Sequence, residues 1–255
     1  NLASVRIQKH LGTSSQAVDA YLTSVAPGEW TSTDRLLDKS YIVLTLDLEN
    51  QRFQGGPPGV TADISGRKLY DPRKDSTVSG GSGSHRANNP ATWEWSANAA
   101  LCVRDWLCDT TYGLGCTDAE VPATEIITAA NICDEEVTLY ATGTVTVTNG
   151  SKNVTGTSTV WLTNCYPGLL FVSTDGVRYT VDSVTDDTHL VLTANYGGST
   201  LSAQGYSIRQ LRYTCNGVLG TETAPRANLA ILLGAMAGTA VWVQGRWLVR
   251  AGAYV

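Results

Sequence analysis

The groups in this 255-residue chain whose types could do chemistry are three histidines, six cysteines and one cluster of acids. His10, His85 and His189 lie in separate segments, and no serine occupies a Gly-x-Ser-x-Gly elbow, so a nucleophilic triad has no local support. Cys102, Cys108, Cys116, Cys133, Cys165 and Cys215 contain no CxxC pair and have no His-x-His or His-x₃-His companion. That spacing argues against zinc and, with no secretion signal at the start of the chain, favours free core thiols over disulfides. Asp182, Asp186, Asp187 and His189 could ligate a hard cation, but acids between two strands are what turn chemistry calls for. Gly80-Gly81-Ser82-Gly83-Ser84 lacks the lysine and the following helix of a phosphate loop and reads as a flexible connection. A glycosidase would need two carboxylates at a fixed separation, which a linear sequence does not define. No catalytic, cofactor-binding or metal residue is therefore assigned, and the chain reads as a non-enzyme.

Two sets of residues stand as binding candidates. Trp161, Tyr166, Tyr179 and Tyr196 could stack on a sugar, which makes a glycan- or receptor-binding module the alternative function; in so small a β region most such rings also serve as core or edge cover. Lys74, His85 and Arg86 could contact a partner from the segment 74–90, KDSTVSGGSGSHRANNP. Poor in large apolar groups, that segment reads as a mobile surface loop or as one that orders against a neighbouring subunit. Trp93, Trp95, Trp106, Trp242 and Trp247 read as host-domain core and subunit interface.

The elements that must position these groups follow from periodicity. Ala99, Cys102, Val103, Trp106 and Leu107 recur at helical spacing after Ser96, a candidate N-cap, with Arg104 and Asp105 on the opposite face. Gly113 and Gly115 end that pattern. A second helix is expected over 124–137, striped by Ile126, Ala129, Ala130 and Cys133; Asp134, Glu135 and Glu136 at its end oppose the helix dipole and call for a cationic partner. A third starts near Pro225, with Leu229, Leu232, Leu233 and Met236 as its stripe and Gly238 as its cap. Strands are expected at Ser4–Gln8, Tyr41–Leu48, Val60–Ile64 and Leu211–Cys215, with a loop over Gln51–Gly59, and the region around Ala20–Leu22 and Trp30–Thr31 reads as β-rich. From 142 to 207 valine and threonine alternate around Asn149-Gly150 and Asp175-Gly176, the strongest short hairpin signals. Gln244-Gly245 closes a last hairpin.

The expected class is α+β: a β-rich domain with three helices over residues 1–139 and 209–255, interrupted by a small all-β barrel or sandwich over 140–208. A net charge of -5 argues against a protein whose main task is gripping phosphates. Leu229–Val243, the longest apolar stretch, is too short and too interrupted to span a membrane. A chain that begins at Asn1 reads as a fragment or a processed chain.

Six blocks carry a resemblance: Gly66–Arg73 (GRKLYDPR), Asn98–Cys102 (NAALC), Tyr112–Gly115 (YGLG), Ala129–Asp134 (AANICD), Arg212–Gly217 (RYTCNG) and Gly245–Gly252 (GRWLVRAG). In this order they resemble the tail tip attachment proteins of lambda-like siphophages, also called central tail fibre or host specificity proteins J, over about residues 4–140 and 209–255. Ala99 stands where proline is usual in that family, and the segment 74–90 is longer than the usual connection. The resemblance implies the hub portion of such a protein: a homotrimer at the distal end of the tail tube, in the virion after synthesis in the bacterial cytoplasm, without cofactor. It implies contacts with the distal tail protein and the end of the tape measure protein. Host-receptor binding would lie in parts outside this chain, and phage DNA would pass without specific binding, which an acidic conduit suits.

Overall fold

The computed structural model describes residues 5–47, 53, 55–62 and 64–252. It is mixed helix and strand, mainly β, with 30% strand and 20% helix. The chain divides into two compact units, 1–64 and 65–255. Ser4, Leu48, Gln51, Arg52, Gln54 and Asp63 of the expected elements lie outside the described residues.

In the first unit β1 (Val5–Leu11) pairs antiparallel with β2 (Ser40–Leu46), Val5 opposite Leu46 and Leu11 opposite Ser40. Between them lies a helix, α1 (Ala20–Val25), where the sequence suggested strand. Asp19 causes it: its Oδ1 accepts from Leu22 N at 2.9 Å, and this cap outweighs the β preference of Tyr21. The other carboxylate oxygen binds His10 Nε2 at 2.8 Å, and the His10 ring stacks on Tyr41 with centroids 4.3 Å apart. Residues 60–62 and 64 form no strand.

The second unit contains two separate hydrophobic cores. The helical one is built from α2 (Ala99–Cys108), α3 (Ala123–Cys133) and α5 (Pro225–Gly234) packed with the hairpin of β13 (Thr239–Val243) and β14 (Arg246–Arg250), labelled in chain order. Leu101, Val103 and Leu107 are fully enclosed in it, and each such side chain contributes about 1.5–3 kcal/mol. The N-cap of α2 is Asn98 and not Ser96, whose hydroxyl instead accepts from Asn98 N. Asn98 Oδ1 accepts from Ala100 N at 3.1 Å and Leu101 N at 3.3 Å, while its Nδ2 donates to Ala130 O at 2.9 Å. One amide therefore caps α2 and ties it to α3. Arg104, expected on the solvent face, is buried: Tyr70 lies under its guanidinium at 4.3 Å and Asp118 pairs with it. A short antiparallel pair, β3 (Lys68–Leu69) with β4 (Glu94–Trp95), brings this part of the chain to the helices.

Helix α3 stops at Cys133, earlier than expected, and the acids beyond it find arginines as anticipated. Asp134 pairs with Arg73 at 2.8 Å and Glu135 with Arg212 at 2.7 Å, while Glu136 takes Arg178 and Arg209, each at 3.0 Å. At α5 the left-handed residue after the last turn is Ala237, φ 47°, and not Gly238.

The second core is enclosed by a curled eight-stranded antiparallel sheet. Its strands are β5 (Glu136–Tyr140), β6 (Thr144–Val147), β7 (Asn153–Thr157), β8 (Leu170–Ser173), β9 (Arg178–Asp186), β10 (His189–Leu192), β11 (Leu201–Gln204) and β12 (Tyr206–Leu211), in the order β11-β6-β7-β10-β9-β8-β12-β5. β11 at one edge and β12 near the other are joined by Gly205 alone, which requires the sheet to curl back on itself. The Asn149-Gly150 and Asp175-Gly176 turns fall where expected, with φ 81° at Gly150 and 79° at Gly176. Strand β12 ends at Leu211, so the expected strand over Leu211–Cys215 is reduced to one bridge at Thr214. A single helical turn, α4 (Trp161–Asn164), carries Trp161 into the core between β7 and β8 in sequence.

Candidate functional site

The segment 74–90, expected as a mobile loop, is folded around one buried carboxylate. Asp75 is 2% exposed, and its Oδ1 accepts from Thr77 N at 2.8 Å, Thr77 Oγ1 at 2.6 Å and Arg86 Nη1 at 3.0 Å. Its Oδ2 accepts from Tyr70 Oη at 2.7 Å. Burial alone would raise the pKa of this carboxyl. The Thr77 hydroxyl and amide, Tyr70 and Arg86 overcome that and hold it at about 2. Backbone bonds complete the fold: Ser82 N donates to Arg73 O at 2.8 Å and His85 N to Lys74 O at 2.9 Å. Gly81 is required where the chain crosses itself, because a Cβ there would stand 2.3 Å from Pro72 O and 2.4 Å from Asp75 O. Of the glycines that suggest a flexible connection, Gly81 and Gly83 are sites of close backbone approach.

Beside this segment a cleft of about 340 Å³ is lined by Tyr70, Asp75, Thr77, Arg86, Asn88, Arg104, Asp118 and Val121, among others. Two guanidinium groups face two carboxylates there. Arg86 is held by Asp75, Gly83 O and Ser76 Oγ, and Arg104 by Asp118 and the Tyr70 ring. A carboxylate ionised far below neutral pH, with both oxygens occupied by donors, is no general base. The cleft therefore presents two guanidinium–carboxylate pairs, Arg86 with Asp75 and Arg104 with Asp118.

The candidate partner contacts lie close together along the backbone, but the fold commits their side chains differently. Lys74 is exposed and pairs with Glu94 at 2.5 Å. His85 is 3% exposed, its Nδ1 accepting from Asp71 N at 3.1 Å, so it presents no contact surface. Arg86 is spent on the loop's own carbonyls and on Asp75. Two of the four stacking candidates are enclosed. Trp161 is 0% and Tyr196 1% exposed. The Trp161 ring meets Tyr206 edge-on at 5.8 Å, and its Nε1 donates to Tyr206 Oη at 2.9 Å. Tyr179 leans on Tyr196 at 5.7 Å and accepts from Gly197 N, which leaves Tyr166, 55% exposed, as the one open ring of the four. One ring is too little for a sugar platform, because rings enclosed in a core offer no free face. Asp186 and Asp187 are engaged in the β9–β10 turn by Thr188 N at 2.7 Å and Leu162 N at 3.0 Å, and among the described residues no group of three or more acid, histidine or cysteine side chains could hold a metal.

Sequence reasoning passed over Tyr70, Asp75, Arg104 and Asp118. Asp75-Ser76-Thr77 carried a usable signal, an acid two residues before a hydroxyl, the pattern of a side-chain-closed turn. Arg104 carried none, since its place depends on Tyr70, more than thirty residues earlier. All six cysteines are free, Cys133 and Cys165 buried and the rest partly so. No helix among the described residues is long and apolar enough to cross a membrane. No protein-family profile matches the chain, and no curated protein matches it.

Proposed function

We propose that the chain is a structural component of a bacteriophage tail tip: a hub domain, interrupted by an inserted β module over 140–208, that trimerises at the distal end of the tail tube. With the rest of its protein it serves host attachment and DNA ejection, next to the distal tail protein and the end of the tape measure protein. One observation carries this reading. The six blocks that resemble the tail tip family are scattered from residue 66 to 252, yet each sends side chains into the helical core: Leu69, Ala99 to Cys102, Tyr112, Ala129 with Cys133, Tyr213 with Cys215, and Trp247 with Val249. Blocks in a fixed order whose apolar members meet in one place behave as the signature of a fold and not as chance local composition. The separate core of the curled sheet is in keeping with a module carried on that fold. Strand β13 also exposes Val241, Trp242 and Val243, an apolar face that a ring of identical copies would bury.

Light scattering of the 255-residue chain across a concentration series tests the proposal. A mass three times that of the 27.2 kDa chain is expected. A monomer at every concentration would overturn a ring-forming role for these residues.

A further inference from the structure

The N-terminus of α2 meets the segment that leaves the eight-stranded sheet. Asn98 and Thr214 form an antiparallel bridge, and Cys215 N donates to Ala97 O at 2.7 Å. Cys102 lies one helical turn beyond Asn98, on the same face of α2. This backbone arrangement brings the two residues together, and their side chains influence each other electrostatically. Both thiols are free and only partly buried against the helical core, within reach of a small oxidant. The neighbouring Cys102 lowers the proton affinity of Cys215 against the opposing effect of burial, while Cys215 and burial together raise that of Cys102. The other ionisable groups near Cys102 are Asp105 and the fully buried Cys133.

We propose that Cys102 and Cys215 are a redox-active thiol pair, closed to a disulfide by hydrogen peroxide, that staples α2 to the chain leaving the sheet. The Cys215 thiolate attacks one peroxide oxygen, the O–O bond breaks, and the departing hydroxide takes a proton to leave as water. Cys102, giving up its proton, then attacks the resulting sulfenic sulfur. The S–O bond breaks, and the second oxygen also leaves as water. Two thiols lose two electrons and two protons, and one peroxide becomes two waters. The ring so closed, roughly a hundred residues, holds α3 and all eight strands, so one bond clamps both chain passages at the base of the sheet. This inference is independent of the tail tip proposal.

The test is peptide mapping of the folded chain after hydrogen peroxide treatment, with the remaining thiols alkylated and no reductant present. The expected result is a Cys102–Cys215 linked peptide, a fall from six titratable thiols to four, and a melting temperature several degrees higher, all reversed by dithiothreitol. Cys215→Ala and Cys102→Ala should each abolish the linked peptide, and Cys165→Ala, in the other core, should keep it. Pairing of Cys102 with Cys133, pairing of Cys108 with Cys116, or six thiols surviving in the wild-type chain would each overturn the proposal, and none of these readouts needs a variant to fold.

Discussion

Residues 74–90 bury two side chains, Asp75 and His85, whereas the eight-stranded sheet encloses a core of more than ten apolar ones, Trp161, Phe171, Leu190 and Ile208 among them. Both regions are held in one conformation. The sheet does so by removing hydrocarbon from water, the segment by directing four donors onto one carboxylate and threading Gly81 and Gly83 against its own backbone. Low hydrophobicity is thus no measure of disorder when a buried carboxylate has donors on both oxygens, because each buried hydrogen bond to a charged group contributes about 1.5–3 kcal/mol. The two designs should fail differently.

Trp161→Ala should be the costlier break, about 3–5 kcal/mol, since it removes the largest fully buried side chain and leaves Tyr206 without its edge-on partner. Urea unfolding followed by tyrosine fluorescence measures it. A loss below 1 kcal/mol would mean that the sheet core closes over the gap and does not depend on α4. Asp75→Ala should cost about 2–4 kcal/mol by stranding Tyr70 Oη, Thr77 N and Arg86. Hydrogen exchange sharpens the contrast: the amides of Ser82 and His85 should lose protection while those of β9 and β10 keep theirs. Equal loss in both regions would show one cooperative unit where two kinds of packing are described.

These regions also differ in how far they could be read from sequence. The hairpins at Asn149-Gly150, Asp175-Gly176 and Gln244-Gly245 and the stripes of α2, α3 and α5 were legible, because turn preference and apolar periodicity are local properties. The polar knot at Asp75 was not, since its partners Tyr70, Thr77 and Arg86 acquire meaning only once the chain has turned back on itself. The same limit hid the buried place of Arg104 and the capping role of Asn98, whose second partner, Ala130 O, comes from another helix. Helix α1 was missed because a single cap, Asp19, decided a segment of weak preference. For the stacking candidates the residue types were right for a ligand, but burial at Trp161 and Tyr196 was a property of the closed sheet.

Gly81→Ala separates close approach from flexibility as the reason for glycine in the segment. A Cβ that must displace the Pro72 and Asp75 carbonyl oxygens should cost about 2 kcal/mol and lower the melting temperature by several degrees. If the loop were simply mobile, alanine would be neutral or slightly stabilising through the unfolded chain. Calorimetry decides between the two signs.

The smallest effect should come from Asp105 in the helical core, which inverts the behaviour of Asp75. Burial raises the Asp105 carboxyl to about 6; Arg67, at 3.2 Å, pulls it down less than burial pushes it up, and the nearby Asp109 adds to the rise. A raised carboxylate constant contributes stability that is fully present below its ordinary value, near 4, and is lost as the pH rises through about 6. Asp75, held at about 2, does the opposite: its contribution is complete above pH 4 or so and disappears as the pH falls toward 2. Stability should therefore rise from pH 2 to about 4 through Asp75 and be drawn down between about 4 and 6 through Asp105. Asp105→Asn removes the second slope and should raise stability at pH 7 by about 1 kcal/mol, after the loss of the Arg67 pair is subtracted. Urea midpoints at pH 4, 5, 6 and 7 for the wild type and this variant measure it. An unchanged slope between 4 and 6 would mean that Arg67 and water already compensate the Asp105 charge as completely as Tyr70, Thr77 and Arg86 compensate Asp75.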